Sequence, residues 1–229
     1  MNIEKLKNRI LYGVTESESN PDYATRLTML PRKTLENIEE CIVKIVEDGV
    51  EGDFVETGVW RGGACIFANA LFKKLNSPRK IYVYDSFEGL PIPDGEKYPM
   101  DAGDDHYKIP ELSVSLETVT SNFKLIDEDI SNIVFVKGWF RDTLKDNTID
   151  KISLLRLDGD MYESTVDPIN YLYPKINTGG FCIVDDYNPK FGAHHVVNEY
   201  RMEYNISDEL FIFDGNSAGL LSAYWRKSK

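Results

Sequence analysis

Asp53-Phe54-Val55-Glu56-Thr57-Gly58-Val59-Trp60-Arg61-Gly62-Gly63 is the stretch from which the fold can be read. A short strand, Asp53 to Glu56, runs into a glycine turn, and Ala64 to Leu75 then reads as a helix ended by Asn76-Ser77-Pro78. Glycine lets the backbone approach a ligand, and the following helix offers its positive N-terminus to a carboxylate or phosphate. The spacing is not G-x-G-x-x-G, and no Gly-Lys-Ser/Thr follows. That counts against a nucleotidyl or phosphoryl enzyme.

Outward from this unit the alternation continues. Upstream, Leu35, Ile38, Ile42, Ile45 and Val46 recur at helical spacing and predict an amphipathic helix from Arg32 to Asp48. Downstream, Lys80 to Tyr84 predicts a strand ending at Asp85, Ser113 to Ile126 a helix, and Ile133 to Val136 a strand ending at Lys137-Gly138. Ile152 to Leu157 predicts a strand ending in Asp158-Gly159-Asp160, followed by a helix from Ser164 to Ile176. Gly179-Gly180 reads as a turn into the strand Phe181 to Val184, which ends at Asp185-Asp186. A helix from His194 to Tyr204 and strands near Phe211–Phe213 and Gly219–Trp225 complete the chain. This order predicts an α/β fold: a mostly parallel sheet with helices on both faces and an antiparallel pair at its edge.

With 229 residues, 42% of them hydrophobic and 28% charged, the chain has the size and composition of a single globular α/β domain over 31–229. Residues 1–30 read as polar helical pieces without a core of their own, on the substrate side. The loop Gly89 to Val114 holds Pro91, Pro93, Pro99 and Pro110, and its length predicts a lid. A formal charge of −12 disfavours nucleic acid and anionic membrane as partners. No run reaches transmembrane length, and the three dispersed cysteines, Cys41, Cys65 and Cys182, read as buried thiols. A cytoplasmic protein is expected.

Ligands of open α/β sheets bind beyond the carboxyl ends of the strands. Glu56, Asp85, Asp158, Asp160, Asp185 and Asp186 all fall at such ends. Asp85, with Ser86 next to it, is placed to accept hydrogen bonds from ribose hydroxyls, and Gly138-Trp139 to meet an adenine ring. Asp158, Asp185 and Asp186 converge from neighbouring strands and repel unless a cation neutralises them. An all-carboxylate set suits a hard cation, Mg²⁺ first. His106 could serve as a loop-borne base, whereas His194 and His195 read as surface or capping residues. Clustered carboxylates also fit a metal-dependent glycosyl- or nucleotidyl-transferase, and a glycine loop also fits a binding module without turnover.

The segments Gly52 to Gly63, Asp85-Ser86-Phe87-Glu88-Gly89-Leu90-Pro91, Lys137-Gly138-Trp139-Phe140, Leu155 to Thr165 and Val184-Asp185-Asp186-Tyr187 resemble the macrocin O-methyltransferase family over about Leu30 to Trp225. The resemblance implies a Rossmann-like class I methyltransferase fold of seven strands, S-adenosylmethionine and Mg²⁺ as cofactors, and a sugar-bearing small-molecule acceptor. It implies that Glu56, Thr57 and Gly58 lie at the methionine part of the cofactor, Asp85 and Ser86 at the ribose, and Gly138 and Trp139 at the adenine, with Arg61 also a cofactor-binding residue. It makes Asp158, Asp185 and Asp186 metal ligands, with Asp158 and the adjacent Asp160 as the catalytic carboxylates. A homodimer or higher homo-oligomer is expected.

Overall fold

A computed structural model describes residues 2–214 and 221–229. The elements run α1 (Ile3–Tyr12), α2 (Arg32–Glu47), β1 (Asp53–Thr57), α3 (Gly63–Lys74), β2 (Ile81–Asp85), α4 (Leu116–Ile126), β3 (Ile133–Lys137), α5 (Phe140–Thr143), β4 (Ile152–Leu157), α6 (Tyr162–Leu172), β5 (Ile176–Val184), α7 (Gly192–Glu203), β6 (Phe211–Asp214) and β7 (Leu221–Arg226). They build a seven-stranded sheet in the order β3-β2-β1-β4-β5-β7-β6. β1 to β5 pair in parallel, and β7 runs antiparallel to both β5 and β6. The predicted antiparallel edge pair is present; Gly219 and Leu220, part of the predicted last strand, lie outside the described residues.

Strand alternation sorts the core onto two faces. Phe54, Val83, Leu154 and Ile183 meet α1, α2, α3 and α4 on one face. Val55, Tyr84, Leu155, Cys182 and Val184 meet α6 and α7 on the other. Helix α1 gives Ile3, Leu6, Ile10 and Leu11 to the first of these cores. All three cysteines are free and buried.

Two predicted elements need correction. The helix expected from Ser164 to Ile176 starts at Tyr162 and stops at Leu172, followed by a 3-10 turn, Tyr173–Lys175, built around Pro174. The Gly179-Gly180 pair is not a turn before a strand but an irregularity inside β5. Ile176 pairs with Ile152 and Phe181 with Leu154, so β5 advances five residues while β4 advances two. Gly179 has φ +87°, and a Cβ on Gly180 would stand 2.7 Å from the Ser153 carbonyl oxygen. The glycines therefore allow a bulge that β4 presses against.

The sheet order changes direction between β1 and β4, both reached from the chain in opposite senses. This is the switch point at which α/β proteins bind ligands. The 89–114 loop lies beside it, with Gly89, Leu90, Pro91 and Leu112 at its edge, and carries three short 3-10 turns, Pro99–Asp101, His106–Lys108 and Pro110–Leu112.

Candidate active site

The parallel register extends one residue past the strands. Gly58 N–H donates to the Tyr84 carbonyl, Gly138 N–H to Asp85, Asp158 N–H to Thr57 and Asp185 N–H to Leu157, at 2.9–3.0 Å. The strand ends are thus level, and their first loop residues face a common cleft. Gly58 has φ +82°, and a Cβ there would fall 1.7 Å from the Asp158 carbonyl oxygen. Only glycine allows β1 to turn into α3 this close to β4.

The cleft holds a cavity with about 800 Å³ of empty space, open solvent included. Gly58, Asp85, Ser86, Gly138 and Trp139 line it, as do Asp158 and Asp160. Asp85 accepts hydrogen bonds from Val59 N–H at 2.8 Å and Phe87 N–H at 2.7 Å, which fix its carboxylate against the glycine loop. Burial raises its carboxyl above the ordinary range, with these amides opposing. Trp60 donates its indole N–H to the Glu111 carbonyl at 2.7 Å and so ties the end of the 89–114 loop to the glycine loop.

Three residues assigned to the cofactor from the sequence, Glu56, Thr57 and Arg61, stand off this cavity, and so do Asp185 and Asp186 of the predicted metal set. Glu56 and Thr57 are each 1% exposed, and Glu56 is engaged by Arg156 and by the Cys65 thiol, which donates at 2.7 Å. Arg61 lies toward the N-terminal segment, where it donates to the carbonyls of Ala24 and Arg26 at 2.9 Å and stacks on Trp60. None of the three faces the cavity with its side chain, because Glu56 points into the α3 face of the sheet and Arg61 is already on the helix-entry turn.

Asp158, Asp185 and Asp186 do converge: one carboxylate oxygen from each lies within 4.8 Å of the others. Asp158 and Asp185 keep 26% and 17% of their side-chain surface, enough for an ion to reach them. Burial pushes both carboxyls up to about 6, against the pull of Arg156, and pushes Asp186 well above the carboxylate range. One oxygen of Asp186 is buried without a hydrogen-bond partner. Asp160, at φ +59°, is also raised by burial, with the charge of His106 opposing. His106 is held by Asp104, whose two oxygens lie 3.0 Å from Nδ1. His194 and His195 make local contacts at the start of α7, His195 with the Pro189 carbonyl at 3.0 Å.

Arg156 escaped the sequence reading. It is fully buried, pairs with Glu56, and places Nη1 2.7 Å from Asp158 and Nη2 2.8 Å from Asp185. In the parallel register Glu56 lies beside Arg156, so the two side chains project from the same face. The available signal was a lone cation within Ile152-Ser153-Leu154-Leu155-Arg156-Leu157, a strand otherwise without charge. A central parallel strand covered on both faces has no solvent to offer such a group, so its partners had to be internal carboxylates. Arg156 supplies one positive charge to a group of five acids: Glu56, Asp158, Asp160, Asp185 and Asp186. The cluster is therefore still acidic, and its all-oxygen donor set fits a hard divalent cation.

A parallel sheet with an antiparallel edge, a glycine loop after β1 and acids beyond β2 and β4 define a class I methyltransferase. Comparison with known proteins makes this particular. The sequence profile described as Macrocin-O-methyltransferase (TylF) matches residues 12–227, and the chain belongs to that family and is an O-methyltransferase. It is 40% identical over 219 residues to mycinamicin III 3''-O-methyltransferase of Micromonospora griseorubida, covering 92% of this chain and 83% of that one. It is 41% identical over 207 residues to demethyldecarbamoylnovobiocin O-methyltransferase of Streptomyces niveus, covering 88% and 76%. The solved structure of the O-methyltransferase NovP superposes with a TM-score of 0.88 at 34% identity, over 99% of this chain and 98% of that one. The family implies S-adenosylmethionine as methyl donor, and membership decides against glycosyl or nucleotidyl transfer.

Proposed function

We propose that this O-methyltransferase methylates a sugar hydroxyl of a glycosylated small molecule, using S-adenosylmethionine and Mg²⁺. The observation that carries the reading is the Asp158, Asp185 and Asp186 cluster set beside a cavity that Asp158 and Asp160 also line. The relatives' names support the acceptor class: one acts at the 3'' position of mycinamicin III, another at the 4' position of a rhamnosyl tetracenomycin.

Gly58, Gly138 and Trp139 give the cofactor its backbone and aromatic walls. Asp85 uses two lone-pair directions on loop amides and retains others for ribose hydroxyls. Glu56, with Thr57, backs the methionine end from behind the wall, and Arg61 braces the loop from outside. Asp158, Asp185 and Asp186 would hold the cation, and Arg156 keeps the first and second of these pointed at the site. When bound, S-adenosylmethionine supplies an electrophilic methyl group, and Mg²⁺ supplies positive charge beside the reacting hydroxyl. Asp158 is already committed to Arg156 and to the cation set, so Asp160, raised by burial and free of Arg156, takes the hydroxyl proton. The cavity walls hold the acceptor oxygen in line with the methyl group, and that alignment supplies much of the rate.

Incubation with labelled S-adenosylmethionine, Mg²⁺ and a panel of deoxysugar glycosides tests this. Label is expected on a sugar oxygen, and EDTA is expected to stop it. Label on the aglycone alone, or turnover that ignores EDTA, would overturn the acceptor or the metal respectively.

A further inference from the structure

Helix α6 begins two residues after Asp160, and its N-cap, Met161, offers no side-chain hydrogen bond. Its first two amides are instead taken by Asp101, which accepts from Tyr162 N–H at 2.7 Å and from Glu163 N–H at 2.9 Å. Asp101 comes from the 3-10 turn Pro99–Asp101 in the 89–114 loop and is 3% exposed. A carboxylate there satisfies two orphan donors and meets the positive end of the helix dipole. The turn is closed from the other side by α7. A Cβ on Gly192 would stand 2.0 Å from Tyr162 N and 2.7 Å from an Asp101 oxygen, and Ala193 N–H donates to the Asp160 carbonyl at 3.3 Å. Between these contacts Asp160 holds φ +59°, in the left-handed region that aspartate tolerates better than most side chains, and the contacts on both sides help to hold it there. The same loop sends Gly89, Leu90, Pro91 and Leu112 to the cavity wall.

We propose that Asp101 is a positioning residue for the methyl transfer: it fastens the 89–114 loop to the N-terminus of α6 and so sets the Asp158-Gly159-Asp160 turn. The acceptor-side wall and the catalytic carboxylates then form one mechanical unit. Asp101 is not one of the cavity-lining residues, because its carboxylate is turned onto the α6 amides, and it acts through the helix. The kinetic part of this inference rests on the function proposed above; the structural part does not.

The test uses the full chain with Asp101→Asn, which keeps one acceptor and turns an NH₂ group toward the other amide, and Asp101→Ala, which keeps none. Asp101→Ser, a capping residue that accepts one amide, replaces the alanine variant if that one does not fold. Hydrogen exchange is expected to speed up roughly tenfold at the Tyr162 and Glu163 amides and along residues 99–112, as loss of a helix cap implies. The kcat is expected to fall roughly tenfold to a hundredfold, the range that misplacing a catalytic group brings. S-adenosylhomocysteine affinity is expected to stay within about twofold, since its proposed contacts lie on β1, β2 and β3. Unchanged exchange overturns the inference, as does faster exchange with kcat intact. A fall in kcat matched by an equal loss of S-adenosylhomocysteine affinity also overturns it, because that pattern marks general destabilisation. If the wild type methylates no glycoside, the acceptor assignment fails while the exchange data still decide whether Asp101 ties the loop to the turn.

Discussion

At the scale of single residues, the proposed chemistry rests on Arg156 and the acids around it. Buried ion pairs add little net stability while intact, but removing one partner strands the others away from water. Arg156→Met is therefore expected to destabilise the fold by about 3–5 kcal/mol in chemical denaturation, because Glu56, Asp158 and Asp185 lose their shared cation. Denaturation midpoints equal to wild type would show that the carboxyls simply take up protons. Asp185→Asn and Asp186→Asn test a different function of the cluster. Both are expected to abolish Mg²⁺-dependent turnover while S-adenosylhomocysteine still raises the melting temperature, since that ligand's proposed contacts are elsewhere. Asp160→Asn is expected to cost about 10²–10⁴ in kcat, the usual range for loss of an essential base, with metal affinity retained. Calorimetric Mn²⁺ titration of these three variants separates ligand from base.

At the scale of elements, what was readable in the sequence depended on how local the determining contact is. β1, β4 and the helix Arg32–Glu47 declare themselves through apolar periodicity and adjoining turns, so their limits come out within a residue. Helix α6 does not, because the group that caps it lies 61 positions upstream, and its end depends on Pro174. Gly179-Gly180 looked like punctuation because a bulge and a turn ask the same freedom of glycine, and only the pressing of β4 distinguishes them. The strand-end acids were legible because topology places every parallel strand end on one side. Arg156 and Asp101 were not, since Glu56 and Asp185 reach Arg156 from other strands and Asp101 finds its amides 61 positions downstream. Gly58 belongs to this scale too, as the hinge between β1 and α3. Gly58→Ala adds a Cβ 1.7 Å from the Asp158 carbonyl at φ +82°, so β1 and β4 must part. Loss of the S-adenosylhomocysteine thermal shift is expected, and a retained shift would show that the loop can relax without cost to the cofactor site.

Over the whole molecule, the sheet order forces a concentration of like charge that the chain's overall acidity does nothing to relieve. The formal charge is −12, and the switch point gathers Asp158, Asp160, Asp185 and Asp186 around one internal cation. Burial raises Asp158 and Asp185 from the ordinary 3.8 to about 6, with Arg156 pulling against it. An acid whose folded value is raised stabilises the folded state most when protonated, below its unfolded value, and that contribution disappears as pH rises through the folded value. For these two groups the window runs from about pH 4 to somewhat above pH 6. The metal-free protein is thus expected to lose stability across that window, relative to an Asp158→Asn, Asp185→Asn double variant in which both groups are neutral at every pH. Bound cation acts in the opposite direction, because it needs the same carboxylates ionised. Mg²⁺ is therefore expected to raise the melting temperature strongly at pH 7.5 and hardly at pH 5, with proton release on binding that grows as pH falls toward 6. Melting curves in EDTA and in Mg²⁺ across this range read both effects from one preparation. A Mg²⁺ shift that is equal at pH 5 and pH 7.5, or that persists in the double variant, would place the cation somewhere other than at these strand ends.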